Sequence, residues 1–282
     1  MTAIAQGEFK KTGSVSIQYS VLRNIGENVQ KLPLLIFAHG FKGFKDWGGF
    51  PYFCQSLADN GFVVLSFNFS HSGVDISSPM DFTMLDFFAE NTHSIELHDI
   101  NIVIRSIVPL AEKFNIDTER IGLIGHSRGG GLSILAAAMN KQIKALVTLA
   151  SIAKFDRYTN EQKKRWREKG YIEIPNTRTN QMMRMNIGLL NDIEENSEKL
   201  DILSAASKLN IPYLIIHGKE DLAVKYTDAE SIYSASNPAL TELHIIENTG
   251  HTFGIEHPFK GSTKAFDEVI NLTSGFFKKN LI

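Results

Sequence analysis

The stretch Ile121-Gly122-Leu123-Ile124-Gly125-His126-Ser127-Arg128-Gly129-Gly130-Gly131 decides the fold. Its opening segment, Ile121–Ile124, is apolar apart from one glycine, as a strand covered on both faces should be. Residues 125–129 then spell G-x-S-x-G, and a run of small residues continues as a helix over Arg128–Met139. Strand, sharp turn and helix form the setting in which this motif has a mechanical meaning. The turn is tight enough to strain Ser127 and push its hydroxyl outward. Gly125 and Gly129 leave room for neighbouring backbone, and Gly130 and Gly131 let the helix approach the sheet. The helix start adds unpaired N–H groups and a positive dipole end.

Working outward, short apolar runs alternate with helical patterns. Strands are read at Leu34–Ala38, Phe62–Phe67, Ala145–Leu149, Tyr213–Ile216 and Leu243–Ile246. Ser14–Val21, with Val15, Ile17 and Tyr19 on one face, reads as an edge strand. Helices are read at Tyr52–Asn60, stopped by Gly61, at Ser94–Phe114, where Pro109 either kinks the helix or marks a break, and at Thr263–Phe277. This alternation predicts an α/β chain with a mostly parallel sheet and helices on both faces. Reactive groups in such sheets collect at the carboxyl ends of the strands. Residues 150–210 break the pattern and show no convincing buried strand. We read the chain as one domain, 1–282, with Ile152–Ala206 as a helical cap inserted over the carboxyl edge of the sheet.

A serine hydroxyl is a weak nucleophile and needs a base. Of nine histidines, His251 is the best placed. It lies in Asn248-Thr249-Gly250-His251, a loop just after the last strand, where Gly250 permits a sharp turn. His126 neighbours the nucleophile, but its ring is expected to point away into the turn. His39 and His217 end strands and precede glycines, which suits structural hydrogen bonding. The base needs an acid to fix its tautomer. Asp221 follows the strand Tyr213–Ile216 through His217-Gly218-Lys219-Glu220 and precedes the apolar Leu222-Ala223-Val224. Glu220 is its nearest competitor and Asp228 the next. A developing oxyanion calls for rigid backbone donors. The Arg128 amide is one candidate, and the Phe41 amide, in His39-Gly40-Phe41-Lys42-Gly43 after the strand Leu34–Ala38, is the other.

The His-Gly-Phe loop at 39–41, the Gly-His-Ser-Arg-Gly-Gly elbow at 125–130, the His-Gly-x-x-Asp segment at 217–221 and the Gly-His at 250–251 resemble the α/β-hydrolase superfamily, over nearly the whole chain. Within it, residues 44–49, the segment Asn68-Phe69-Ser70-His71-Ser72-Gly73 and the insertion resemble dienelactone-hydrolase-like and prolyl-oligopeptidase-like esterases. Feruloyl and cinnamoyl esterases belong nearby. The resemblance implies a serine hydrolase of carboxylic esters, working through an acyl-enzyme on Ser127, His251 and Asp221. A peptidase or amidase acting on small peptides, and a non-catalytic binding protein on the same scaffold, stay open as alternatives. Serine at position 127 argues against dienelactone hydrolysis, which uses cysteine there.

Composition limits the rest. The net charge of −2 gives no basic field for nucleic acid or anionic membrane. The single cysteine, Cys54, rules out an intrachain disulfide. Residues 1–13 lack the apolar run of a signal peptide, and no stretch nears the roughly 18 apolar residues of a membrane span. A cytoplasmic protein is expected, with a small-molecule ester as partner and neither cofactor nor metal. No P-loop, dinucleotide fingerprint or zinc spacing appears. The basic run Lys163–Lys169 reads best as a solvated helix face. The Met182–Met185 stretch suits an acyl pocket or ordinary packing equally, as do Phe44, Trp47 and Phe50 near the proposed oxyanion loop.

Overall fold

The structure is a computed structural model and describes residues 2–11, 15–24, 30–176 and 181–282. In chain order the elements are β1 (Thr2–Lys10), β2 (Ser16–Asn24), β3 (Leu32–Ala38), α1 (Phe50–Asp59), β4 (Val63–Phe67), β5 (Val74–Asp75), β6 (Ser78–Phe82), α2 (Leu85–Ala89), α3 (His93–Arg105), α4 (Val108–Phe114), β7 (Ile116–His126) and α5 (Arg128–Met139). They continue as β8 (Ile143–Leu149), α6 (Asn160–Lys169), β9 (Tyr171–Asn176), β10 (Gln181–Asn186), α7 (Ile187–Glu195), α8 (Ile202–Ser207), β11 (Tyr213–Gly218), α9 (Tyr226–Ala235), β12 (Thr241–Ile246) and α10 (Lys264–Leu281).

Eight strands form one sheet in the order β1-β2-β4-β3-β7-β8-β11-β12. All neighbours from β4 to β12 are parallel, and β1 and β2 pair antiparallel. Side chains alternate between two cores, as the period of a strand demands. On β3, Leu34, Ile36 and Ala38 enter the core that includes α3, α5 and α9, whereas Leu35 and Phe37 enter the one beneath α1 and α10. On β11, Tyr213 and Ile215 face the first core and Leu214 and Ile216 the second. Both faces are therefore covered, which is why these strands read as continuous apolar runs. Residues 129–137 of α5 are all buried, so its glycines and alanines are what let it lie close against the sheet. A β-carbon on Gly129 would overlap the backbone oxygens of Ala38 and His39.

The chain winds outward from β3 to β4, then crosses back to β7 on the other side of β3. The switch in winding direction falls between β3 and β7, and it opens a crevice at their carboxyl ends. Residue 38 pairs with residue 125 there, so the loop after β3 and the turn after β7 lie side by side.

Two expectations change, and one open alternative is decided. The segment read as an edge strand is β2, which is covered by β1; Ser14, within the predicted range, lies outside the described residues. From Ile4 to Lys10, β1 alternates exposed and half-buried residues and so carries almost no apolar signal. The helix read over 94–114 is two helices: α3 ends at Arg105, and Pro109, which cannot donate a backbone N–H, opens α4. Residues 152–206 hold a β9–β10 antiparallel ribbon as well as helices α6, α7 and α8. Met183 and Met185 of β10 are buried in the core beside α7. Lys163, Arg165 and Arg167 of α6 pair with Asp156, Glu161 and Glu194 at the surface. No helix among the described residues is long and apolar enough to cross a membrane.

Candidate active site

Ser127 sits between β7 and α5 with φ 57° and ψ −119°, a conformation that non-glycine residues rarely adopt. Its surroundings over-determine it. The Ser127 N–H donates to the Leu149 carbonyl at 2.8 Å, while its own carbonyl accepts from Gly130 at 2.9 Å and from Gly131 and Ile152 at 3.4 Å. A β-carbon at Gly125 would overlap the Gly129 backbone, so the turn closes only on glycine.

His251 approaches from the loop after β12. That loop is fastened to the one after β11, where the Glu220 N–H donates to the Thr249 carbonyl at 2.9 Å. Gly218 ends β11 so close to the carbonyl oxygens of Thr249 and Gly250 that a side chain there would collide with them. The Ser127 hydroxyl lies 2.9 Å from His251 Nε2, and His251 Nδ1 lies 2.7 Å from Asp221 Oδ2. The hydroxyl thus donates to Nε2, and Nδ1–H donates to the carboxylate. Asp221 Oδ1 accepts from the Ala223 and Val224 amides at 2.8 and 2.9 Å. Burial opposes its ionisation, but hydrogen bonds from His217 and His251 outweigh burial and hold the carboxyl well below the usual range. The two competing carboxylates go elsewhere: Glu220 is exposed, and Asp228 accepts from the Ala153 amide at 3.0 Å.

Two residues in this cluster carried little signal in the sequence. The His217 Nε2–H sits 2.9 Å from the Val224 carbonyl and 3.2 Å from Asp221 Oδ2, which braces the acid from below. His126 does not point away. Its Nε2 lies 3.0 Å from the His251 carbonyl, and the two rings are 4.9 Å apart. The His251 carbonyl supplies the partner that draws the ring to this side. His39 Nδ1 donates to the Gly40 carbonyl at 2.9 Å, the structural role expected of it.

Burial lowers the pKa of His39 to about 4 and that of His126 to about 3, from an ordinary value of 6.5. Both rings are neutral in the folded chain at pH 7. Below pH 6.5 the unfolded chain takes up protons that the folded one refuses, so stability declines as pH falls toward 4 and then 3. A loss of a few kcal/mol is expected between pH 7 and 4.5, read as a falling urea midpoint. A midpoint constant over that window would contradict this.

Neither the Phe41 nor the Arg128 N–H donates to a protein acceptor among the described residues, and both residues adjoin Ser127 in one cavity. Their side chains are locked together. The Arg128 guanidinium lies over the Phe41 ring at 4.4 Å and donates to buried Glu96 at 2.6 Å. Burial pushes Glu96 up, but Arg128, helped by His93 and Asn91, brings it below its usual value. Replacing Glu96 by alanine strands the Arg128 charge. The expected cost is about 3 kcal/mol in urea denaturation, since breaking one side of a buried pair leaves the other uncompensated. Glu96→Gln, which keeps a hydrogen-bond acceptor, should lose less. A cost below about 1 kcal/mol for Glu96→Ala would mean the pair carries little of the fold's stability.

Two cavities meet at Ser127 and His251. One, of about 310 Å³, is walled by Phe41, Trp47, Phe50, His126 and Asn176. The other, of about 450 Å³, is bordered by Arg128, Phe155, Arg157, Tyr158 and Val224. Phe44, by contrast, is wholly buried. Among the described residues no three His, Cys, Asp or Glu side chains gather as a metal site.

The BD-FAE family model matches residues 26–235, most of the chain. The chain belongs to the BD-FAE family. This BD-FAE chain is 23% identical to an uncharacterized 31.7 kDa protein of Escherichia coli from the traX-finO intergenic region, over 89% of the chain and 92% of that protein. It is 30% identical over 118 residues to the uncharacterized protein PA2218 of Pseudomonas aeruginosa, a match that takes in 42% of the chain and only 29% of that relative. The crystal structure of PA2218 superposes with a TM-score of 0.72 at 18% identity, covering 99% of the chain and 94% of that structure. Est1E of Butyrivibrio proteoclasticus, solved with ferulic acid bound, superposes with a TM-score of 0.69 at 19% identity, covering 96% and 97%. These likenesses establish the α/β-hydrolase fold that the motifs led us to expect.

Proposed function

We propose that the protein is a serine hydrolase that cleaves carboxylic esters through an acyl-enzyme. The observation that carries this reading is the unbroken relay from Asp221 through His251 to the Ser127 hydroxyl, with links of 2.7 and 2.9 Å. Ser127 Oγ attacks the ester carbonyl while His251 Nε2 takes its proton. Asp221 holds the imidazole in the tautomer that leaves Nε2 free to accept, and stabilises the imidazolium. In this reading the Phe41 and Arg128 amides receive the developing oxyanion; that both residues line one cavity with Ser127 supports it. His251 then returns the proton to the departing alcohol. Water, deprotonated by the same ring, releases the acid and restores Ser127. Residues 152–206, which place Asn176, Phe155 and Tyr158 at the cavities, act in this reading as a cap over the substrate.

The test is labelling by an aryl organophosphonate followed by intact mass and peptide mapping. A single adduct on Ser127, absent from Ser127→Ala, is expected. No adduct, with no turnover of any ester, would favour a binding protein on this scaffold. Matched ester and amide substrates separate esterase from amidase action.

A further inference from the structure

Resting on the esterase reading above, we infer that the natural substrate is an ester with an aromatic or apolar group on one flank of the scissile bond and an anionic group on the other. The two cavities at Ser127 differ in chemistry. The smaller is walled mostly by rings, among them Phe41, Trp47 and Phe50, with Asn176 and Lys42 at its border and no arginine among its described lining residues. The larger carries Lys42, Arg128 and Arg157 on its walls, and among the described residues no Asp or Glu lines it.

The three cations are held in different ways. Arg128 is neutralised from behind by Glu96, which is buried away from the cavity. Arg157 is not neutralised: its guanidinium donates to the Ala223 carbonyl at 2.7 Å, and no carboxylate among the described residues lies within ion-pairing distance of it. That single bond fixes the head group at the rim beside the acid loop and leaves other N–H donors for a ligand. Lys42, whose ammonium donates to the Pro175 carbonyl, borders both cavities. His93 adds a buried ring whose Nδ1 faces the Glu96 carboxylate at 3.7 Å. The Arg157 charge, with no carboxylate partner among the described residues, makes a local field that the net charge of −2 conceals. A carboxylate is the anion best matched to a guanidinium fork, and one carried by the substrate would bring its ester to Ser127 in the same cavity.

The experiment compares two matched pairs in low-salt buffer: phenyl hexanoate against monophenyl adipate, and butyl benzoate against the benzoate ester of γ-hydroxybutyrate. In each pair a carboxylate replaces a terminal methyl, on the acyl flank in the first and on the alcohol flank in the second. In one pair kcat/KM should favour the charged member by about ten- to a hundredfold, the worth of a charge-assisted hydrogen bond. The flank that responds identifies which side faces the cations. The preference should shrink with added salt and collapse toward one in the Arg157→Gln, Lys42→Gln double variant. Equal rates within both pairs, or a preference that survives the double variant, would overturn the inference. In that case Ser127-dependent turnover of the neutral esters would leave the esterase reading intact. No turnover of any of the four would remove both.

Discussion

Ser127→Ala should abolish turnover of small aryl esters, with kcat lower by about four to six orders of magnitude. Only a hydroxyl is removed, and the site around it survives. Ser127 owes its strained backbone to the bond its N–H gives to Leu149 and to those its carbonyl accepts from Gly130, Gly131 and Ile152, none of which involves the side chain. The residual rate would come from the oxyanion donors and substrate binding alone. The variant should therefore keep its folding midpoint and its affinity for a product acid while losing turnover and burst kinetics. If the variant turned over phenyl esters at more than about a hundredth of the wild-type rate, the nucleophile would lie elsewhere.

Asp221→Asn should cost about ten-thousandfold in kcat with little change in KM. In the wild type, Oδ2 accepts from His251 Nδ1 while Oδ1 is occupied by the Ala223 and Val224 amides. An asparagine keeps its carbonyl oxygen on those two amides and turns its NH₂ toward His251. The imidazole must then accept at Nδ1 and carry its proton on Nε2, where it cannot take one from Ser127. The fold should change little, because the shape is conserved, the two amide bonds to Oδ1 persist, and His217 keeps the Val224 carbonyl as acceptor although it loses Oδ2. Organophosphonate labelling should slow in step with turnover, since both need an activated serine. Labelling at the wild-type rate would assign Asp221 to structure and not to the relay.

How much of this was legible beforehand depends on what each residue is buried against. Strands β3, β7, β8 and β11 are covered on both faces, so they announce themselves as apolar runs. Strand β1 is an edge and β9–β10 a surface ribbon; with Gln6, Glu8, Glu173 and Arg184 turned outward, their pattern resembles loop. The elbow, the acid loop and the base loop were readable because each places a special residue just after a strand, and parallel strands bring such ends to one rim. The Glu96–Arg128 pair was not readable. Its members lie 32 positions apart on two helices, and charged residues on helices ordinarily face water. The direction of His126 is not legible either, because the carbonyl that holds its ring lies 125 positions away.

The pose of Ser127 is secured by the ends of β7 and β8 and by the first turn of α5, and among the described residues of 152–206 Ile152 alone hydrogen-bonds its backbone. The working hydroxyl and the segment that shapes the cavities are thus nearly separate modules. A lineage can rewrite the ribbon and helices between Ile152 and Ala206, and with them the range of molecules admitted, without retuning the reactive centre. Substrate range in such a scaffold should diverge faster than reaction type, and grafting a foreign segment at these two joints is the natural route to a changed preference.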